Sequence, residues 1–204
     1  MRLYRLILGM CLTLIILVLP LSIFLYGIFI KQWESPGLRR IVGVIPIPAA
    51  RVGSRWVSYS DYLEHVDAER KFLSSQASRD QSAPQLTDLQ IRRDALERAI
   101  HIVAIEDYAT QRNVIITPLD VDRVYDTMRQ QAGTSTTAEE FRKILSDQFG
   151  WSDQEVKRYF IRPALLEESL VNKKKEETGD ENGFQTEIRE RLQHTDVIRY
   201  IRIT

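Results

Sequence analysis

Five aromatic side chains in the second half of the chain are the strongest candidates for a binding function. They are Phe141, Phe149, Trp151, Tyr159 and Phe160. Aromatic groups at this density can line an apolar groove that binds segments of unfolded polypeptide. Aromatic rings at helical spacing also form the packed core that joins two helices. The sequence therefore leaves two interpretations open, a client-binding groove and a closed core.

The other residues that could do chemistry form no recognisable catalytic or metal-binding motif. The histidines, His65, His101 and His194, lie far apart, and none has a second ligand at metal-binding spacing. The single cysteine, Cys11, lies in an apolar segment and has no partner for a disulfide. No phosphate-binding loop or nucleophile elbow occurs, and most acids occupy helix starts or polar faces. We therefore predict that the protein is not an enzyme and has no catalytic residue, metal ligand or cofactor.

The charge balance changes at about residue 30. The whole chain has 28 Lys and Arg residues against 28 Asp and Glu residues. Among the first 30 residues, however, 23 are hydrophobic and only Arg2 and Arg5 are charged. Subtraction leaves 26 basic and 28 acidic residues in 31–204, a formal charge of −2. This part supplies no basic stripe for phosphate contacts, so we predict no nucleic-acid partner.

Residues 6–30 form a run of 25 residues without a charge, of which 17 are Leu, Ile, Val or Phe. As a helix the run would be roughly 37 Å long, enough to cross a hydrocarbon core of about 30 Å. It is longer than the apolar stretch of a cleaved signal peptide, and residues 28–33 contain no small-x-small cleavage site. Arg2 and Arg5 favour a cytoplasmic N-terminus. We therefore predict an uncleaved signal anchor in the lipid of the bacterial inner membrane, with the C-terminal domain extracytoplasmic (periplasmic).

The rest of the chain predicts a mainly α-helical fold with a small sheet. Gly53-Ser54 between two β-prone runs predicts a hairpin over 49–57. Ser or Thr followed three residues later by an acid or amide predicts five helix starts. These caps are Ser58, Thr87, Thr117, Thr137 and Ser152. Asn113 is expected to end a helix in the left-handed conformation, and Pro163 is expected to bend the last long helix.

The C-terminal segment predicts a short helix over 184–193 and a strand over 196–203 whose partner is the hairpin. Arginines near these strands should flank an exposed sheet face rather than bind an anion. They are Arg51, Arg55, Arg199 and Arg202. Proline-rich residues 45–48 should be extended and outside any central strand. The predicted segments are a cytoplasmic tail (1–5), an anchor (6–30), a juxtamembrane linker (31–48), a helical domain (49–171), a flexible polar linker (172–183) and a closing helix and strand (184–204).

Several segments follow one another in an order that is typical of a known family. They are Arg51–Ser58, Ala95–Val114, Ile116–Val121, Glu139–Phe141 and Trp151–Leu170. Together they resemble the N-terminal module of the SurA/PrsA/PpiD family of export chaperones and foldases over about residues 49–170. The chain departs from the family pattern by a Gly-Ser turn in place of Asn-Gly, by Asn113 in place of a glycine, and by Pro163 in the final helix.

The resemblance implies a chaperone module without the enzyme of the family. A parvulin-type prolyl isomerase domain commonly follows the last of these helices. Residues 171–183 offer about a dozen residues where roughly 90 would be needed, too few for an independent domain. We therefore expect a membrane-anchored holdase that binds exported, unfolded polypeptides. The alternatives are a scaffold that docks one membrane-protein partner and a prolyl isomerase, which the missing domain disfavours.

Overall fold

The computed structural model describes residues 18–20, 22–79, 86–133, 137–179, 183–194 and 197–203. Within these ranges the fold is mainly helical with one small sheet, as predicted. The helices are α1 (residues 18–20 and 22–29), α2 (Pro36–Val44), α3 (Tyr59–Ala77), α4 (Asp88–Gln111), α5 (Pro118–Gln131), α6 (Ala138–Phe149), α7 (Asp153–Val156), a π-helical turn (Lys157–Ile161), α8 (Arg162–Thr178) and α9 (Gly183–His194). The strands are β1 (Pro48–Val52), β2 (Arg55–Ser58) and β3 (Val197–Arg199).

The sheet has the strand order β2-β1-β3, and both neighbouring pairs are antiparallel. This order confirms the predicted hairpin and its pairing with the terminal strand. The exclusion of residues 45–48 from a central strand was wrong for Pro48, which begins β1. Proline is tolerated there because it pairs with Ser58 at an irregular register, while β3 pairs with β1 only from Ala50 to Val52.

Two of the arginines near the sheet are partly exposed and also connect the sheet to α4. The Arg55 guanidinium lies 3.6 Å from the Glu106 carboxylate. Arg199 donates two hydrogen bonds to Glu97, at 3.0 and 2.9 Å. The sheet is therefore fixed to the helical layer by charge pairs as well as by its apolar inner face.

The predicted helix starts lie where the caps place them. Capping boxes with both reciprocal hydrogen bonds form at Thr87, Thr117, Thr137 and Ser152. Ser58 makes only half of the box, because its Oγ accepts from the Asp61 N–H at 3.0 Å without a return bond. The Asp61 carboxylate instead accepts from the Tyr159 hydroxyl at 2.8 Å and pairs with Arg158 at 3.0 Å. Asp61, which could have completed the cap of its own helix, thus makes a long-range contact.

The predicted juxtamembrane linker, 31–48, contains a helix that is part of the domain. Ser35 caps α2 by accepting from the Leu38 N–H, and Pro36 occupies its first turn. Leu38 and Val42, one helical turn apart, are buried in the same core as the sheet. The prediction that residues 31–48 are only a juxtamembrane linker was therefore wrong, because the apolar stripe of α2 packs on the protein core.

The predicted boundary at residue 30 also moves. Ile28 is fully buried in the core formed by the sheet, α2, α3 and α4. The Phe29 carbonyl accepts from the Arg202 N–H at 2.9 Å. A hydropathy pattern cannot distinguish a segment in lipid from a segment in a protein core. The uncharged run 6–30 therefore includes Ile28, which belongs to the folded domain.

The predicted anchor, 6–30, lies mostly outside the described residues. Within the ranges described above, no helix is both long and apolar enough to cross a bilayer.

Pro163 lies in the first turn of α8, directly after the π-helical turn. There the Arg162 N–H donates to the carbonyl of Lys157, five residues earlier. Proline has no N–H and its ring clashes with the carbonyl four residues earlier, so a wider turn accommodates it. The expected distortion at Pro163 takes the form of a change in helix type.

The flexible linker predicted at 172–183 is wrong up to Thr178, because α8 continues to that residue. Lys and Glu favour helix, and the Lys174 ammonium donates to the Glu187 carboxylate of α9 at 3.1 Å. Residues 180–182 lie outside the described part of the chain. Residues 172–178 are polar because this end of α8 is largely exposed to solvent.

The described core has three parts. The first joins the sheet to α1–α4, the second joins α4, α8 and α9, and the third joins α5, α6, α7 and the π-helical turn. The third part packs against α3 through α6. A cleft opens along this contact.

Candidate functional site

The cleft between α3 and α6 has a volume of about 450 Å³ and is lined mainly by apolar side chains. One wall is formed by His65, Ala68 and Phe72 of α3, and the opposite wall by Phe141, Ile144, Leu145 and Phe149 of α6. Met128, Trp151 and Phe160 add further apolar lining, and the polar side chains at the cleft include Glu69 and Arg98. This size is within the range of sites that accept a few side chains of a ligand.

A row of stacked rings connects the two walls. Phe72 of α3 stacks on Phe149 of α6, with ring centroids 5.4 Å apart and planes 5° apart. Phe149 stacks in turn on Trp151 at 5.6 Å, and Trp151 lies 5.9 Å from Tyr159. The first two pairs are stacked and the Trp151–Tyr159 pair is tilted, and all three separations lie in the favourable range for aromatic pairs. The row holds α6 at a fixed distance from α3 and leaves the space beside it open.

The five predicted aromatic residues divide between the two interpretations. Phe141 is buried in the third core, with its ring 5.5 Å from that of Tyr125, although one edge reaches the cleft. Phe149 and Trp151 are half-buried in the cleft wall, and Phe160 is 53 % exposed at its edge. Tyr159 lies behind the wall. The structure brings four of the five to the cleft, and binding of a client there remains a prediction.

His65 was not selected from the sequence, yet its side chain is buried where the cleft wall meets Trp151 and Tyr159. Its ring lies 4.8 Å from Tyr159 and 6.2 Å from Trp151. Burial lowers the pKa of His65 to about 4, with a contribution from the Arg98 charge, so the imidazole is neutral at pH 7. The signal for it was its helical spacing with Ala68 and Phe72 on one face of α3.

Two buried polar atoms near the cleft have no hydrogen-bond partner among the described residues. They are Nδ1 of His65 and Nε1 of Trp151. Buried polar groups are normally paired, and an unpaired one costs about 1–3 kcal/mol. Their presence beside an open cleft is a feature that packing alone does not explain.

Charged groups lie at the edge of the cleft. Glu69 and Arg98 form an ion pair at 3.1 Å, with Arg98 the more exposed member. Behind the cleft wall, the Asp61 carboxylate accepts a hydrogen bond from the Tyr159 hydroxyl. Burial raises the pKa of Tyr159, and the Asp61 charge adds to that rise, so the hydroxyl stays protonated as a donor. The edge is thus polar and fixed, and the interior is apolar.

Two carboxyl groups, Glu64 of α3 and Glu155 of α7, interact next to the cleft wall. Burial raises the pKa of Glu64 to about 7, and the Glu155 charge adds to the rise. Burial opposes ionisation of Glu155 too, but the Ser152 N–H and hydroxyl each donate to it at 2.6 Å, so its pKa is lowered. Glu64 is therefore the member that holds the proton.

The arrangement can bind apolar groups but shows no metal chemistry. Within the described ranges, no group of three His, Cys, Asp or Glu side chains could hold a metal ion. The neutral, buried His65 faces rings rather than a nucleophile. What the cleft offers to a ligand is an apolar surface with a charged edge.

The elements that build this cleft fall within a family match. A family model described as the SurA-like N-terminal domain matches residues 1–170. The chain belongs to this family. The SurA-like N-terminal domain is of a chaperone type and is non-catalytic, and the match includes every wall of the cleft. α9 and β3, which follow residue 170, complete the core and the sheet outside the match. No curated protein and no solved structure matches the chain.

Proposed function

We propose that this protein is a membrane-anchored, extracytoplasmic holdase that binds apolar segments of exported, unfolded polypeptides in the cleft between α3 and α6. The observation that carries the proposal is an open apolar cleft whose wall keeps large side chains exposed. Phe160 is 53 % exposed and Ile144 is 40 % exposed, although both border a packed core. Exposed apolar groups that cluster in this way are typical of interaction sites.

The cleft suits a client that is held rather than transformed. Burial of any large apolar side chain against its apolar walls is favourable, and the walls impose little sequence selectivity. Once the wall moves slightly, the Trp151 indole N–H would donate a hydrogen bond to a peptide carbonyl, and the unpaired Nδ1 of His65 would hydrogen-bond to a peptide amide. Ordering an unfolded client offsets much of this gain, so affinity is modest and release needs no energy source.

The anchored location completes the proposal. The uncharged run 6–30, with Arg2 and Arg5 before it, would place the domain at the surface from which exported chains emerge. A holdase at that position meets its clients before they fold or aggregate.

Suppression of aggregation tests the proposal. The full chain is assembled in lipid nanodiscs, and light scattering follows a denatured client that aggregates on dilution. Joint replacement of Phe160 and Ile144 by serine removes two half-exposed side chains from the cleft. Each is expected to contribute about 1 kcal/mol when a client covers it, so the double variant should bind roughly 30-fold more weakly.

Ile115 provides the matched control. It is 82 % exposed and does not line the cleft, so Ile115→Ser removes an exposed aliphatic side chain elsewhere. This variant should suppress aggregation as well as the unaltered chain. Equal suppression by all three proteins, each shown to be folded by circular dichroism, would refute the cleft as the client site.

Co-purification distinguishes the holdase from a scaffold. A broad set of exported proteins bound to the anchored chain, and lost with the cleft variant, supports the holdase. One stoichiometric membrane protein whose binding survives the cleft variant would instead establish the scaffold.

A further inference from the structure

We infer that the C-terminal end of α2 lies in the headgroup layer of the membrane that anchors the chain, with Ile41, Val44 and Ile45 in contact with lipid. The inference rests on the anchor in the proposed function and adds a second membrane contact, made by the folded domain itself.

The first observation is that α2 and the residue that follows it leave aliphatic side chains exposed beside the core-facing stripe of the helix. Leu38 and Val42 are 4 % and 3 % exposed and face the core. Ile41 and Val44 lie three residues apart on α2, and Ile45 follows as its extended C-cap. The three side chains are 41 %, 84 % and 55 % exposed. Exposed aliphatic side chains that cluster in this way are typical of interaction sites.

The second observation is the short, stiff connection between α1 and the domain. Gln32 is buried in the left-handed conformation, and its amide donates to the Arg202 carbonyl at 2.7 Å. The Trp33 N–H donates to the Gly27 carbonyl at 3.0 Å, which closes the end of α1. Because Ile28 is also buried, no flexible spacer separates the domain from the medium that surrounds α1.

The third observation is the length of the uncharged run before the domain. With Gly27 and Ile28 buried in the protein, residues 6–26 remain, 21 residues that as a helix would span roughly 31 Å. That length matches the hydrocarbon thickness of about 30 Å, so the hydrocarbon layer of the membrane would end at the first buried turn of the domain. α2 begins nine residues after Gly27 and packs on the same core as Ile28.

The side chains around this point fit lipid better than a second copy of the chain. α1 leaves Val18, Leu19 and Ile23 about half exposed, so an apolar medium is expected there already. Lys31 and Arg40 are exposed beside the two helices and suit anionic headgroups. Three aliphatic side chains form a much smaller patch than the roughly 800 Å² per partner of a stable dimer.

Depth-dependent quenching tests the inference in vesicles of phosphatidylcholine and phosphatidylglycerol. In a Cys11→Ser background, Val44→Cys carries an environment-sensitive dye, and Ile115→Cys is the control. The two positions are equally exposed, at 84 % and 82 %, but Ile115 does not belong to α2. Lipids with a spin label near the headgroup should quench the dye at position 44 at least threefold more than the dye at position 115.

The outcomes separate this inference from the anchor. A chain that floats with the vesicles but shows equal quenching at both positions refutes the α2 contact alone. A chain that does not float refutes the anchor and the inference together. Stronger quenching at position 44 that persists in vesicles without phosphatidylglycerol supports the apolar contact and assigns no role to Lys31 and Arg40.

Discussion

Glu34 is expected to be the surface acid on which the junction between α1 and the domain depends most. Arg70 donates to its two carboxylate oxygens at 2.7 and 3.2 Å, and Arg92 forms a second ion pair with it. Arg92 also donates to the Gln32 side chain at 3.3 Å. The Glu34 side chain is 20 % exposed and that of Arg92 is 16 % exposed, so water replaces these bonds poorly.

The magnitude follows from that partial burial. Glu34→Gln keeps the shape of the side chain but removes the charge that Arg70, Arg92 and, at 3.8 Å, Arg39 share. It also turns an N–H donor toward one of them. Loss of one partner from a buried ion pair costs about 3–5 kcal/mol, and exposed pairs contribute about 0.2–1 kcal/mol. For groups that are one-fifth exposed we expect about 2–3 kcal/mol, or roughly 5–10 °C in Tm for a domain of this size.

Glu97→Gln is the matched control. Glu97 also accepts two hydrogen bonds from one arginine, Arg199, but the two side chains are 50 % and 43 % exposed. The same chemical change there should cost less than about 1 kcal/mol. Thermal unfolding of the full chain, followed by circular dichroism at low and high salt, measures both variants.

Equal losses for the two variants would refute the reasoning, since burial would then not determine the strength of these pairs. A large loss for Glu34→Gln that disappears in high salt would also contradict it, because partly buried pairs are screened weakly.

Two further predictions concern the α1 junction and the Glu64–Glu155 pair. Gly27→Ala would put a methyl group 2.5 Å from Cδ2 of Trp33, so we expect a loss of about 1–3 kcal/mol. Gly43→Ala, which meets no atom within 4 Å, should be neutral or slightly stabilising, and equal melting temperatures for both would contradict the contact. The pKa of Glu64 is about 7 in the folded chain against 4.5 unfolded, so its stabilising contribution is complete below pH 4.5 and is lost as the pH rises through 7. Relative to Glu64→Gln, the unaltered chain should therefore lose about 1–2 kcal/mol of unfolding free energy between pH 5 and 8 in urea titrations. Parallel curves would show that the pKa of Glu64 is not raised in the folded chain.

The sequence predicted elements whose causes are local. Thr87, Thr137 and Ser152 start helices because their caps bond the backbone three residues later. Asn113 adopts φ 54° as expected at the end of α4. The same kind of signal was present at Ser35-Pro36, a cap followed by proline, and it would have predicted α2.

The candidate site was predicted only in part. The aromatic residues were identified, but whether each lined a groove or filled a core depends on where α3 lies relative to α6. Phe72 and His65 come from α3, some 70 to 90 residues before Phe149 and Trp151 in the chain. No spacing pattern within one helix can predict a contact between residues on two helices that are distant in the chain.

What the sequence determined by itself was most of the elements, five helix caps and the uncharged run, because each depends on neighbours a few residues away. Only the tertiary structure decided that the run ends inside the domain at Ile28, that Asp61 serves Tyr159 rather than its own helix, and that a cleft stays open beside the ring stack. Hydropathy records how apolar a residue is. Which surface covers that residue is settled by packing between segments that are distant in the chain.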